Sequence, residues 1–209
     1  MKLEYGEYTL SFANGGVVVE KNGTVLYYNK RPAFVFVKTK EAVTEFYDDT
    51  YSDVEEEREG VLCVGPVSTP GGSVFSFRDM YTVVSSELKI QREVLVEKAG
   101  EDLGFSTKIS FVMAESQTPR DYECFMPGVW YKQNEFAPAR SIGKDLDAEY
   151  FWQWETRCGL PLFAMQNTTS RETVCLSRWA ADVTMRDLSL ALSENEVDRK
   201  FTIGSLGMS

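Results

Sequence analysis

The Asn22-Gly23 dipeptide, set between Val17-Val18-Val19-Glu20-Lys21 and Thr24-Val25-Leu26-Tyr27-Tyr28, constrains the fold more than any other feature of the chain. Both central residues of a type I′ turn need positive φ, which Asn-Gly adopts at least cost, so the flanking β-rich runs predict a hairpin. The rest of the first hundred residues follows the same grammar. Residues 8–12 alternate until Asn14-Gly15-Gly16 breaks them, and residues 33–38 form another β-rich run after Pro32. Residues 61–67, 73–77, 88–96 and 105–113 continue it, with Pro66, Pro70, Gly71 and Gly72 as punctuation. In 88–96 the even positions are mainly apolar, the period-two signature of a half-buried strand. The acidic stretch 48–59 lies between strand-like runs and reads as a solvated edge strand or loop rather than an interaction tail.

Toward the end, residues 173–177, 188–192 and 201–203 predict further strands. Residues 179–194 are the one stretch that admits a helix, but Leu188, Leu190 and Leu192 alternate with small or polar residues, which favours a strand. Many short strands with almost no helical period predict an all-β fold: one large two-sheet antiparallel β-sandwich over residues 1–209. No internal repeat, low-complexity segment or linker interrupts it.

Composition narrows the function. The 209 residues carry 22 basic and 32 acidic side chains, a net charge of −10. That balance argues against nucleic acid, because phosphate binding needs a positive face, and against an anionic membrane surface. The chain has no histidine, so Ser-His-Asp and Cys-His catalysis, His-ligated zinc and His acid–base pairs are excluded. The first residues have no apolar core of a secretory signal, and Cys63, Cys124, Cys158 and Cys175 form no C-x-x-C pair. We expect a cytoplasmic chain whose thiols are reduced and each behave as small hydrophobes. The triplets Asn22-Gly23-Thr24 and Asn167-Thr168-Thr169 carry meaning as glycosylation acceptors only in an exported protein.

The middle of the chain differs in kind. Residues 122–154 hold nine aromatics in 33 positions and three of the four tryptophans. Acids, bases and amides are interleaved among them, and Pro127-Gly128, Pro138 and Gly143 predict irregular backbone over 125–144. Long irregular segments in compact β domains are disproportionately functional. Aromatic faces beside hydrogen-bonding side chains suit a sugar, whose C–H face stacks while its hydroxyls are read by polar groups. The competing reading is that Trp130, Trp152 and Trp154 fill the core. Asp145-Leu146-Asp147-Ala148-Glu149 fails as an EF-hand, since the required Gly and Glu positions are Tyr150 and Thr156. Asp145, Glu149 and Glu155 are candidates for a glycosidase carboxylate pair by crowding alone.

Phe125-Met126-Pro127-Gly128-Val129-Trp130-Tyr131-Lys132-Gln133-Asn134, followed by Glu149-Tyr150-Phe151-Trp152-Gln153-Trp154-Glu155-Thr156-Arg157, resembles part of a known domain. It is similar to the N-terminal β-supersandwich, galactose mutarotase-like, that precedes the (α/α)6 barrel in six-hairpin glycoside hydrolases and related phosphorylases. The run Phe201-Thr202-Ile203-Gly204-Ser205-Leu206-Gly207-Met208 resembles the last strand of such a domain, read as ending at a domain boundary. The resemblance implies that the general acid and base sit on the barrel, so no catalytic residue carries over to this chain. It also implies that region 122–157 docks on the barrel or walls a sugar cleft. Mutarotase chemistry uses histidines and is disfavoured here.

The expectation is therefore a non-catalytic β-sandwich domain of a glycoside hydrolase, with carbohydrate and a barrel of the same polypeptide as partners and no cofactor or metal. Its sugar-binding or interface residues would be Trp130, Tyr131, Lys132, Asn134, Arg140, Trp152, Glu155 and Arg157. The alternatives are a free-standing carbohydrate-binding protein, a small carboxylate enzyme, and a purely structural β domain.

Overall fold

A computed structural model describes residues 1–13, 16–29, 33–38, 43–48, 51–58, 60–102, 104–112, 121–126, 130–132, 151–153, 162–177, 186–193 and 200–207. Among them there is no α-helix, and the strand ladders are antiparallel. The protein is all-β, as its period-two runs predict. Its contacts divide it into two compact units, Met1–Thr107 and Lys108–Ser209.

The first unit opens with a meander of β1 (Lys2–Tyr5), β2 (Tyr8–Ala13), β3 (Gly16–Lys21) and β4 (Thr24–Asn29), each strand paired with the next. The β3–β4 tip is the predicted turn: Asn22 and Gly23 have φ of 50° and 79°. A hairpin of β5 (Ala33–Lys38) and β6 (Val43–Asp48) follows, and β5 pairs with the start of β11 (Gly104–Val112). A second sheet runs in sequence order through β7 (Asp53–Glu57), β8 (Gly60–Ser68), β9 (Val74–Val84) and β10 (Glu87–Lys98). The acidic stretch thus supplies β7, an exposed edge strand. Strand β9 extends well past the predicted 73–77, because Arg78 and Asp79 interrupt its apolar pattern without interrupting its pairing.

Alternation builds the core of this unit. Tyr8, Leu10 and Phe12 of β2 and Val17 and Val19 of β3 are buried on one sheet. Val61, Cys63 and Val67 of β8 and Phe75, Phe77 and Tyr81 of β9 are buried on the other. The layers meet where the Phe12 and Tyr81 rings pack edge-to-face, 6.0 Å between centroids. The Tyr8 phenol ties them again by donating to the Ser86 carbonyl at 3.0 Å. This is a two-layer sandwich, with β5 and β6 also against β8.

Two backbone features fix the second sheet. A Cβ on Gly60 would sit 1.8 Å from the Tyr81 carbonyl oxygen, so only glycine permits the β8–β9 approach there. Pro66 is tolerated within β8 because β7 pairs only as far as Val64. The Val64 carbonyl accepts from Ser52 on that side, so the proline nitrogen faces past the end of β7.

The second unit contains a sheet of β12 (Tyr122–Met126), β13 (Trp130–Lys132), β15 (Leu162–Asn167) and β16 (Thr173–Ser177), ordered β13-β12-β15-β16. It also contains the ladder of β14 (Phe151–Gln153) on β17 (Arg186–Ser193), with β17 in turn on β18 (Lys200–Gly207). Strand β17 settles the one helix-or-strand ambiguity for residues 186–193. The predicted irregularity over 125–144 is corrected at its start: β12 and β13 form a short ladder on either side of residues 127–129. Among the described residues no helix is long and apolar enough to cross a membrane.

Candidate functional site

Three of the predicted residues are consecutive on one short strand. Trp130, Tyr131 and Lys132 form β13 and stand in register with Met126, Phe125 and Cys124 of β12. Trp152 is the central residue of β14, opposite Ser189 of β17, in a different ladder. Asn134, Arg140, Glu155 and Arg157 lie outside the described residues, as do Asp145 and Glu149. Within the described part of the aromatic segment, Phe125 is 39% exposed, an unusual position for a large apolar ring.

The neighbouring β15–β16 hairpin anchors this sheet. Asn167 is buried, and its side-chain oxygen accepts the Thr169 and Ser170 N–H groups at 2.9 and 2.8 Å. Its own backbone pairs with Glu172 and Arg171, the latter in the left-handed region with φ of 64°. Asn167 is therefore the cap of a tight turn, and its triplet is a structural element. Burial raises the Tyr122 phenol above its ordinary value; a hydrogen bond from Asn167 opposes the rise, and the Asp121 and Glu172 charges add to it.

A second polar cluster, in the first unit, was not anticipated. Cys63, Asp79 and Arg92 are directly opposite one another across β8, β9 and β10. The Arg92 guanidinium grips the Asp79 carboxylate with Nε on Oδ1 at 2.7 Å and Nη2 on Oδ2. The Tyr51 phenol donates to Oδ2 at 2.5 Å and lies 3.2 Å from the Tyr81 hydroxyl. Arg92 also stacks over the Phe77 ring at 5.3 Å. The side chains of the ion pair are 5% and 1% exposed. Each carboxylate oxygen is engaged, in the bidentate geometry that suits a guanidinium best.

This cluster has the composition of an active site but not the access. Burial, and then the Asp79 charge, push the Cys63 thiol far above its ordinary value, so it stays protonated and unreactive. The arrangement is a staple joining Tyr51, β9 and β10. Its sequence signal was a charge on the apolar register of each strand: Asp79 among Phe75, Phe77 and Tyr81, and Arg92 among Leu88, Ile90 and Val94.

No family model, curated protein or solved structure matches the chain.

A third cluster locks the loops at the far end of the same sheet. The Thr69 hydroxyl donates to Asp102 at 2.6 Å and accepts the Ser73 N–H at 3.2 Å, while Gly100 N–H donates to the Ser73 hydroxyl at 3.0 Å. These groups are committed to one another. Among the described residues no group of three or more Cys, Asp or Glu is placed to hold a metal ion. Cys63 and Cys175 are free thiols; Cys63 is the expected small buried hydrophobe, whereas Cys175 is exposed. Cys124 and Cys158 have no described side chains.

Proposed function

We propose that the chain is a non-catalytic β-sandwich domain of a carbohydrate-active enzyme, of the glycoside hydrolase type, with its contact surface on the β12–β13 hairpin. The observation that carries this reading is the exposed Phe125 ring, at a position paired in register with Tyr131 on the same face of the β12–β13 ladder. A pair of aromatic positions on one face suits stacking on a pyranose or the wall of a sugar cleft. The all-β antiparallel architecture supports the same reading. In the first unit the conspicuous ionisable cluster is buried with both carboxylate oxygens hydrogen-bonded, which fits a scaffold role. A helical barrel of the same polypeptide is the proposed partner, and the acid and base would reside there.

All four tryptophans lie in the second unit, so intrinsic tryptophan fluorescence reports on it selectively. Titration with a panel of mono- and oligosaccharides is expected to give millimolar binding, about −4 kcal/mol. Tyr131→Ala and Phe125→Ala should abolish the response while far-UV circular dichroism stays unchanged. A chain that responds to no sugar in the panel, or variants that bind as the parent does, would overturn the assignment.

A further inference from the structure

The four-stranded sheet ends in β7 on one side and β10 on the other, and the two edges are chemically opposite. Strand β7 reads Asp53-Val54-Glu55-Glu56-Glu57, short and with four acids in five residues. Shortness and like charge are the devices by which sheets keep other strands away. Strand β10 is twelve residues long and has no proline or glycine, its one ladder irregularity lying at its end, between Val96 and Lys98. It carries acids and bases in equal number, three of each, and Leu95 and Val96 are 55% and 43% exposed.

The β9–β10 tip is the two-residue turn Ser85-Ser86, with Val84 opposite Glu87. A two-residue hairpin makes that closing pair a hydrogen-bonded one. Odd-numbered residues of β10 therefore turn their N–H and C=O toward β9. Leu88, Ile90, Arg92 and Val94 turn theirs to the other side, where no strand pairs with β10 among the described residues.

We propose that β10 pairs antiparallel with β10 of a second copy about a twofold axis at Gln91, joining two four-stranded sheets into one. This register sets Lys89 against Glu93 of the second copy, twice, and Leu88 against Val94, twice. It adds about eight backbone hydrogen bonds. Opposite charges facing across a ladder stabilise it and like charges destabilise it, which selects the register. Centring on Lys89, Arg92 or Glu93 would face each of those charges with itself. Centring on Ile90 would face Glu87 with Glu93, centring on Leu88 would pair only residues 87–89 because β10 begins at Glu87, and centring on Val94 would draw in the irregular end. A twofold antiparallel contact closes on itself, so the product is a dimer and not a fibre.

Sedimentation equilibrium of the intact chain is expected to show a reversible monomer–dimer equilibrium. Lys89→Glu and Glu93→Lys alter exposed side chains, and each should weaken dimerisation at least tenfold. Mixing the two variants should restore it, because every 89–93 pair is again of opposite sign. Gln91 lies on the axis as a non-hydrogen-bonded pair, about 4.5 Å between Cα atoms, which a disulfide spans. Gln91→Cys should therefore form a self-disulfide on mild oxidation, beyond any that the parent forms through exposed Cys175. A monomer at every concentration would overturn the proposal. So would a dimer indifferent to Lys89→Glu, or a Gln91→Cys variant that crosslinks no better than the parent.

Discussion

Replacing Arg92 with Met tests the physical account of the buried cluster most directly. The substitution removes two hydrogen bonds to Asp79 and leaves a carboxylate, 1% exposed, with the Tyr51 phenol as its remaining close donor among the described residues. Breaking a buried pair from one side costs about 3–5 kcal/mol, because the surviving charge stays desolvated. Met occupies much of the same volume over Phe77, so lost packing is a minor part of that cost. The companion variant is Asp79→Leu/Arg92→Met, which removes both charges. Tyr51 still has the Tyr81 hydroxyl at 3.2 Å. Replacing both members of a buried pair with apolar residues is commonly neutral or stabilising, so the double variant should fall within about 1 kcal/mol of the parent. Because the tryptophans report on the second unit, the assay is native-state hydrogen exchange of peptides covering 74–98 across a urea series. With m of about 2 kcal/mol/M, the single variant should lower the local midpoint by roughly 1.5–2.5 M. A shift below about 0.5 M, or a double variant no more stable than the single one, would refute the desolvation argument.

Three further outcomes are expected. Gly60→Ala forces a Cβ onto the Tyr81 carbonyl, a clash that backbone cannot relieve, and should cost about 3 kcal/mol or more by urea unfolding. Ser85→Asn/Ser86→Gly should raise stability by about 1 kcal/mol in the same assay, since both serines occupy the left-handed region that Asn-Gly adopts freely. For Cys63, the folded state holds its proton to higher pH than the unfolded chain, whose thiol titrates near 9.0. Its contribution is fully present below that value and declines as pH rises above it, by about 1.4 kcal/mol per unit. Cys63→Ala should flatten the fall in urea midpoint between pH 8 and pH 10.5, and an unchanged slope would show that the thiol is not its source.

Local backbone grammar was legible wherever one residue type decided the geometry. Asn22-Gly23 specified its turn because few other pairs accept two positive φ values, and residues 88–96 revealed β10 because one face had to be apolar. Ser85-Ser86 turns the chain in the same conformation without an intrinsic preference for it, held in part by the Tyr8 phenol from the other sheet. No local rule exposes that turn, because its partner is 78 residues away. The aromatic segment was legible as unusual composition, and pairing then split it between two ladders, β13 on β12 and β14 on β17. Composition can mark a region, but only long-range pairing distributes its side chains among sheets.

The buried cluster carries the same lesson one level higher. Asp79 and Arg92 each look like a lapse in an apolar pattern when a strand is read alone. Their meaning appears only in the β9–β10 register, which sets one directly against the other. A single charge on a core register destabilises a sheet, whereas two of opposite sign in one cross-strand position fix that register: a two-residue slip would strand both charges in the core. The edge strand makes use of this. Register in β10 determines which backbone groups face outward and which charges line the open side, so the buried pair at Asp79 and Arg92 also sets the Lys89 and Glu93 spacing on which self-pairing would depend. Arg92→Met should therefore weaken dimerisation as well as folding, and Asp79→Leu/Arg92→Met should recover folding more fully than it recovers the dimer. Equal recovery of both would show that the hairpin turn and the apolar face hold the register without the ion pair.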